Sequence, residues 1–316
     1  VDTPAETVWN NESWEHENLD RAGKEDVTMK GYATAYGAAT VLNAIANWKG
    51  SAFGISLRTS AEVVLDDSER VVGDASGVDT TLIVRCVERV LNHFGLDYGG
   101  VVRTRSEIPV ASGLKSSSAA ANAAVLATLD ALGEEIDMID AVRIGVEAAL
   151  EAGVTVTGAF DDACASMLGG VVVTDNLEKA LLKRDALHSD VILLIPDERF
   201  FSRDVDVERC RLFSRVADAV FDMAMEGDYA AAMTLNGLLY CTALRRSPEP
   251  VVLALRAGAA GATLSGTGPA YAALVDEVSG DDVAAAWSSL GGRIIRTAVE
   301  NRSARMGQAD LFQEGI

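Results

Sequence analysis

From Gly31 onward, short blocks of apolar and polar positions follow one another, and the period of each block predicts an element. Alternation over 31–36, 52–59 and 61–65 predicts strands. Leu82, Ile83, Cys86, Val87, Val90, Leu91 and Phe94 recur at i, i+3, i+4 spacing and predict a helix over 79–94. A strand over 100–105 leads through Ile108-Pro109 into a glycine- and serine-rich loop, then an alanine-rich helix ending at Gly133. A further helix over 138–151 stops near Gly153, a C-cap type of residue.

Beyond Gly169-Gly170 and the apolar triplet 171–173 the rhythm changes. A strand over 190–195 precedes helices over 205–244. Strands over 261–265 and 270–275 follow, then a helix over 281–289 and a strand over 292–298. That order reads β-α-β-β-α-β, the split ferredoxin-like arrangement. The chain is therefore expected to be α+β with two domains, a mixed α/β domain over 29–185 and a ferredoxin-like domain over 186–316, joined within the charged stretch 178–190. Residues 1–28 differ, with eight acids, two bases and no sustained apolar period. They read as a disordered acidic tail or as sequence upstream of a natural start at Met29, the second being preferred.

The 316 residues carry 47 acids against 27 bases, a formal charge of −20. Such a surface repels phosphate backbones, so no nucleic-acid partner is expected. No apolar run approaches the roughly 20 residues of a membrane helix, and no secretory h-region opens the chain, so a cytoplasmic protein is expected. Cys86, Cys164, Cys210 and Cys241 form no CxxC pair, against both a zinc site and a disulfide framework. Lysine occurs only at 24, 30, 49, 115, 179 and 183. An acidic, lysine-poor chain suits a halophilic setting, where a Debye length of about 3 Å at 1 M salt screens self-repulsion.

The most informative chemistry lies at Ile108–Ala123, where a glycine and three consecutive serines enter the alanine-rich helix. Small side chains let the N–H groups of Gly113 to Ser118 approach a ligand, and the helix end adds unpaired donors and a positive dipole. That geometry suits a polyphosphate. The dipole supplies only about 0.3–2 kcal/mol, so a cation and a metal must join it. Lys115 stands in the loop, and a serine hydroxyl can ligate Mg²⁺. The alternative is an ordinary serine-capped helix. The chain has no GxxxxGK[ST] motif, so this is not a Walker A loop.

Residues 109–121, PVASGLKSSSAAA, resemble the PxxxGLGSSAA phosphate loop of the GHMP kinases. Residues 36–45 resemble the first motif of that superfamily, and 264–270, LSGTGPA, its third. With TGAFDDA at 157–163 and AATVLNAI at 38–45, the chain is most similar to the archaeal shikimate kinases, over about 30–298. The resemblance implies a two-domain GHMP-kinase-like fold. It also implies Mg²⁺-assisted transfer of phosphate from ATP to the 3-hydroxyl of shikimate, in aromatic amino acid biosynthesis. Another small-alcohol kinase of the superfamily and a nucleotide-binding regulator without catalysis are the alternatives. A homodimer stays open.

Carried over by register, the resemblance implies that Pro109, Val110, Ala111, Ser112, Gly113, Leu114, Lys115, Ser116, Ser117, Ser118 and Ala119 form the ATP loop. Gly266, Thr267 and Gly268 would close over the phosphates or the acceptor by the resemblance alone, since glycines between two strands read by themselves as a tight hairpin. Ser117 and Glu147 would hold Mg²⁺, with Glu151 the second choice to Glu147 and a solvated helix face the alternative for each. Of the pair Asp161-Asp162, Asp161 is preferred as the base and its neighbour as a helix cap. The first motif lacks the lysine of the PGK-type kinases, so Lys49 or Lys115 must supply positive charge near the transferring phosphoryl group. The carboxylate of shikimate calls for an arginine, with Arg58, Arg103, Arg203 and Arg246 as candidates. The stretch 199–204 reads as a surface loop or a lid.

Overall fold

A computed structural model describes residues 28–74, 79–155, 158–197, 205–308 and 310–313. The leader up to residue 27 and the arginine-bearing stretch 199–204 lie outside the described residues.

The first unit opens with two long antiparallel strands, β1 (Met29–Leu42) and β2 (Lys49–Asp66). The strands expected over 52–59 and 61–65 are one continuous β2. Its second half pairs with β4 (Gly99–Ser106), which carries short β3 (Val71–Gly73) in parallel. Its first half, Lys49–Phe53, pairs with β5 (Val171–Asp175), and β6 (Ala180–Asp185) adds to β5. One face of this sheet is covered by α1 (Thr81–Phe94), α2 (Ser116–Leu132), α3 (Met138–Glu151) and α4 (Phe160–Leu168).

α2 runs through the middle of that layer. Ala119, Ala121, Ala123, Ala124 and Ala127 are all buried, because neighbours surround the helix and leave no solvent face to carry polar residues. α2 approaches the sheet closely at Gly31, where an added Cβ would sit 2.1 Å from the Ala127 carbonyl oxygen. Gly95 and Gly133 end α1 and α2 in left-handed conformations, whereas α3 ends at Ala152 and Gly153 follows one residue later.

The second unit is a four-stranded antiparallel sheet of β7 (Asp190–Ile195), β8 (Gly261–Leu264), β9 (Tyr271–Val275) and β10 (Arg293–Ala298). The spatial order β10-β7-β9-β8 is the ferredoxin-like order expected from the sequence. Between β7 and β8 run α5 (Val207–Arg211), α6 (Ser214–Glu226), α7 (Tyr229–Ala243) and α8 (Glu249–Arg256). α9 (Ser279–Ser288) joins β9 to β10.

The sheets change over between Asp185 and Asp190, but the block 186–316 does not stay together as expected. After β10 the chain returns to the first sheet, where β11 (Arg305–Met306) pairs with β1 and the short helix α10 (Asp310–Gln313) follows. The returning segment crosses at Gly169-Gly170. Gly170 N–H donates to the Glu300 carbonyl at 2.7 Å, and a Cβ on Gly169 would lie 2.4 Å from the Arg302 carbonyl oxygen. A single apolar core joins the second sheet to Val41, Phe53, Ile108, Leu114 and Val171 of the first unit. The phosphate-type loop is thereby wedged between the two sheets.

Candidate active site

Three loops meet at the N-terminal end of α2. Ala111 and Lys115 take left-handed backbone conformations, so the chain turns sharply before entering the helix. The N-cap of α2 is Lys115, and its side chain caps nothing. The first intrahelical bond runs from Ala119 N–H to the Lys115 carbonyl at 3.0 Å, leaving the N–H groups of Ser116, Ser117 and Ser118 at the open end. The serine-cap alternative is therefore not how this helix begins.

The loop after β8 forms the hairpin that its glycines suggest, with Ser265 N–H donating to the Ala270 carbonyl at 2.9 Å. It also braces the α2 loop. Ser265 Oγ donates to the Gly113 carbonyl at 2.8 Å, and Ala270 N–H to the Ser112 carbonyl at 2.9 Å. From β1, Thr40 Oγ1 accepts from Gly266 N–H at 2.8 Å, and Asn43 Nδ2 donates to the Gly266 carbonyl at 3.0 Å. Gly113, at φ +87°, has no room for a side chain, since a Cβ would fall 2.4 Å from the Ser265 carbonyl oxygen.

Beside the loops opens a cavity of about 230 Å³. Ala111, Gly113, Lys115, Ser116, Ser117, Ser118, Gly266 and Thr267 line it, together with Asp161 and Asp162 of α4. Pro109, Val110, Ser112, Leu114, Ala119 and Gly268 do not. Leu114 is a fully buried plug, Val110 points to solvent, and Ser112 Oγ ties back to the Pro109 carbonyl at 2.7 Å. Backbone strain gathers here. Among the described residues six non-glycines have positive φ, and four of them, Trp48, Ala111, Lys115 and Ala159, line this cavity.

The two aspartates are separated by their surroundings. Asp161 Oδ1 accepts from Asn176 Nδ2 at 2.7 Å, and Asn176 Oδ1 accepts from Asp161 N–H and from Thr174 Oγ1. Gly50 of β2 makes space for this carboxyl, because a Cβ there would come within 2.6 Å of Asp161 Oδ2. Burial, with the charge of Asp162 beside it, pushes the Asp161 carboxyl far above the usual carboxylate range, against the pull of Lys115 and Asn176. Asp162 Oδ2 instead lies 2.9 Å from Lys115 Nζ, while its Oδ1 is buried with no hydrogen-bond partner among the described residues.

Several residues expected at the site stand elsewhere. Lys49 lies one position from Gly50 along β2, so its side chain leaves on the opposite face from Asp161. Its ammonium pairs with Asp218 at 3.2 Å and sits over the Phe221 ring, outside the cavity. Glu147 faces away as well. It binds Arg89 and Lys179, and Glu151 also binds Arg89. The cavity-facing positions of α3 are Gly145, Val146 and Ala149, none of which can ligate a cation through its side chain. Arg58 is held by Glu107 and Arg103 by Glu62 and Asp74, while Arg246 does not line the cavity and Arg203 lies outside the described residues. Asn176, Gly50 and the lining residue Arg211 were not singled out from sequence. None carries a local signal, since each acquires its place only through neighbours distant in the chain.

Two family models match, the GHMP kinases N terminal domain over residues 81–170 and the GHMP kinases C terminal over residues 226–293. The chain is 90% identical to a shikimate kinase of Methanothrix thermoacetophila, over 91% of this chain and all of that one. It is 53% identical to a shikimate kinase of Methanococcoides burtonii, over 87% and 98%. Among solved structures it resembles a homoserine kinase from Cytophaga hutchinsonii with a TM-score of 0.67, covering 90% and 98% of the two chains. At 16% identity that likeness bears on the fold alone. The chain belongs to the GHMP kinase family, in the group that contains the archaeal shikimate kinases.

Proposed function

We propose that this kinase transfers the γ-phosphoryl group of ATP to the 3-hydroxyl of shikimate, giving shikimate 3-phosphate and ADP on the route to aromatic amino acids. Its near-identical relative supplies the acceptor. The observation that carries the mechanism is the contact between Lys115 and Asp162, which sets a cation and a carboxylate at the mouth of an uncapped helix.

In this reading the N–H groups of Ser116 to Ser118 and the end of α2 hold the polyphosphate. The acceptor hydroxyl lies against the Asp162 carboxylate, which lines the cavity and takes the proton as the oxygen attacks phosphorus. The bond from phosphorus to the β-phosphate oxygen breaks, and ADP leaves with that electron pair. Lys115 sits between the carboxylate and the phosphates, where it neutralises charge as it moves. This assigns to Asp162 the role that register alone gave to Asp161, whose Oδ1 is already held by Asn176.

The oxygen donors present fit Mg²⁺, which keeps waters and substrate phosphates as most of its ligands. Ser117 Oγ, which lines the cavity, would hold it in place of the pair with Glu147. When bound, the ion would screen the charge of the phosphate oxygens.

No helix among the described residues is long and apolar enough to cross a membrane. A cytoplasmic setting is supported by four buried free cysteines, and a salt-requiring enzyme by the charge of −20. Activity falling steadily with added KCl would count against the second. The acceptor is tested by ADP release with shikimate, homoserine and mevalonate in turn. Turnover of shikimate alone is expected. Turnover of either other alcohol without shikimate would overturn the proposal.

A further inference from the structure

We propose that Arg211 is the receptor for a carboxylate on the phosphoryl acceptor, so that the enzyme selects an anionic small alcohol over its neutral counterpart. The proposal rests on the reading that the cavity takes such an acceptor. Val207 and Arg211 are four residues apart on α5, which puts both side chains on one face, and both line the cavity. That face is held in place. The Asp206 side chain accepts from Arg209 N–H at 3.0 Å, and Cys210 is fully buried. The Arg209 guanidinium donates to the Ala243 and Thr242 carbonyls at 2.8 and 3.1 Å, fastening α5 to the end of α7.

Among the described residues, the cations lining the cavity are Lys115 and Arg211. Lys115 is engaged by Asp162. Arg211 makes no ion pair or side-chain hydrogen bond among the described residues, in contrast to Arg58, Arg89 and Arg103, which are matched by acids. Ile45, Trp48 and Val205 also line the cavity. A guanidinium with no partner among the described residues, in a cavity that also has apolar lining, suits one end of a small molecule whose ring packs on the wall and whose carboxylate meets the fork with two parallel bonds. In a chain of charge −20, an anionic acceptor needs such a local cation.

The test compares shikimate with its carboxamide, which keeps the ring and hydroxyls and removes the charge, as acceptors for wild type, Arg211→Gln and Arg211→Lys. Arg215→Gln, on the neighbouring helix and not lining the cavity, is the control. Arg211→Gln is expected to raise KM for shikimate on the order of 10- to 100-fold, as for loss of a charged hydrogen-bonded pair. KM for ATP and KM for the carboxamide should stay within about 2-fold, and Arg211→Lys should recover part of the loss. The proposal is overturned if KM for shikimate is unchanged, if both acceptors weaken equally, or if KM for ATP rises instead. Should wild type ignore shikimate, the proposed acceptor fails. The arginine is then judged by the same acid-to-amide comparison on the carboxylic alcohol the enzyme does use, and an enzyme using only uncharged alcohols overturns both.

Discussion

Lys115 Nζ lies 2.9 Å from Asp162 Oδ2, with both side chains nearly buried, joining the phosphate-type loop to the helix that carries the aspartate pair. Removing one member of a buried pair strands the other and costs about 3–5 kcal/mol. Lys115→Met and Asp162→Asn should therefore each lower the melting temperature and reduce kcat at least about 10²-fold. The double variant should recover stability without recovering turnover. Recovery of both would make the pair structural only.

Asp161 and Asp162 can be told apart by the same assay. Asp161→Asn keeps an oxygen for Asn176 Nδ2 and is expected to retain more kcat than Asp162→Asn by on the order of 10-fold or more. The reverse ranking would return the proton-accepting role to Asp161.

The pH dependence of stability follows from the same carboxyl. Asp161 is raised to about 7 by burial and by the charge of Asp162, above its ordinary value near 3.8. A raised folded-state pKa means that the carboxyl is tolerated while protonated and penalised once it ionises, so its contribution falls as pH climbs from about 4 to about 7. Against Asp161→Asn, wild type should lose melting temperature progressively across that window and then level off. A difference that does not change with pH would refute the assignment.

Gly50→Ala tests the space behind the aspartate. The added Cβ would stand 2.6 Å from the Asp161 carboxyl, and β2 is paired there with Thr174 of β5, so the side chain must yield. We expect a stability loss of about 1–3 kcal/mol, as for overpacking. Turnover should fall by about 10-fold or more because the aspartate pair shifts. Unchanged kinetics would show that its position is not critical.

Gly113→Ala attacks the contact between the two glycine loops. At φ +87° and 2.4 Å from the Ser265 carbonyl oxygen, a Cβ forces the loops apart. The strain amounts to about 1–3 kcal/mol. KM for ATP should rise by about 10-fold while Arg211, on α5, keeps its discrimination between acid and amide.

Much of this molecule was legible in its sequence, because it depends on neighbours three or four residues away. The α1 stripe, the strand–helix order of the second sheet and the run of small residues at 113–119 are local patterns that dictate local structure. Other elements were missed because nothing local specifies them. β3 and β11 have three and two residues and exist only through pairing, while the sequence of β6 (Ala-Leu-Leu-Lys-Arg-Asp) runs apolar then charged with no alternation to mark a strand.

The site divides in the same way. That a glycine-serine loop opens a helix and that two aspartates stand together is written in the sequence, and these are the positions the family motifs pick out. Which charge meets which was decided by tertiary structure. Two faces of α3 are open to a carboxylate, and packing turned Glu147 toward Arg89 rather than the cavity. Strand alternation sent Lys49 to Asp218, 169 residues away, while the left-handed turn at Lys115 brought its ammonium to Asp162. Arg211 acquires its place only after Arg209 and Cys210 anchor α5. Periodicity fixes which face of an element is buried, whereas the partner of a charge depends on a through-space distance that no local pattern encodes.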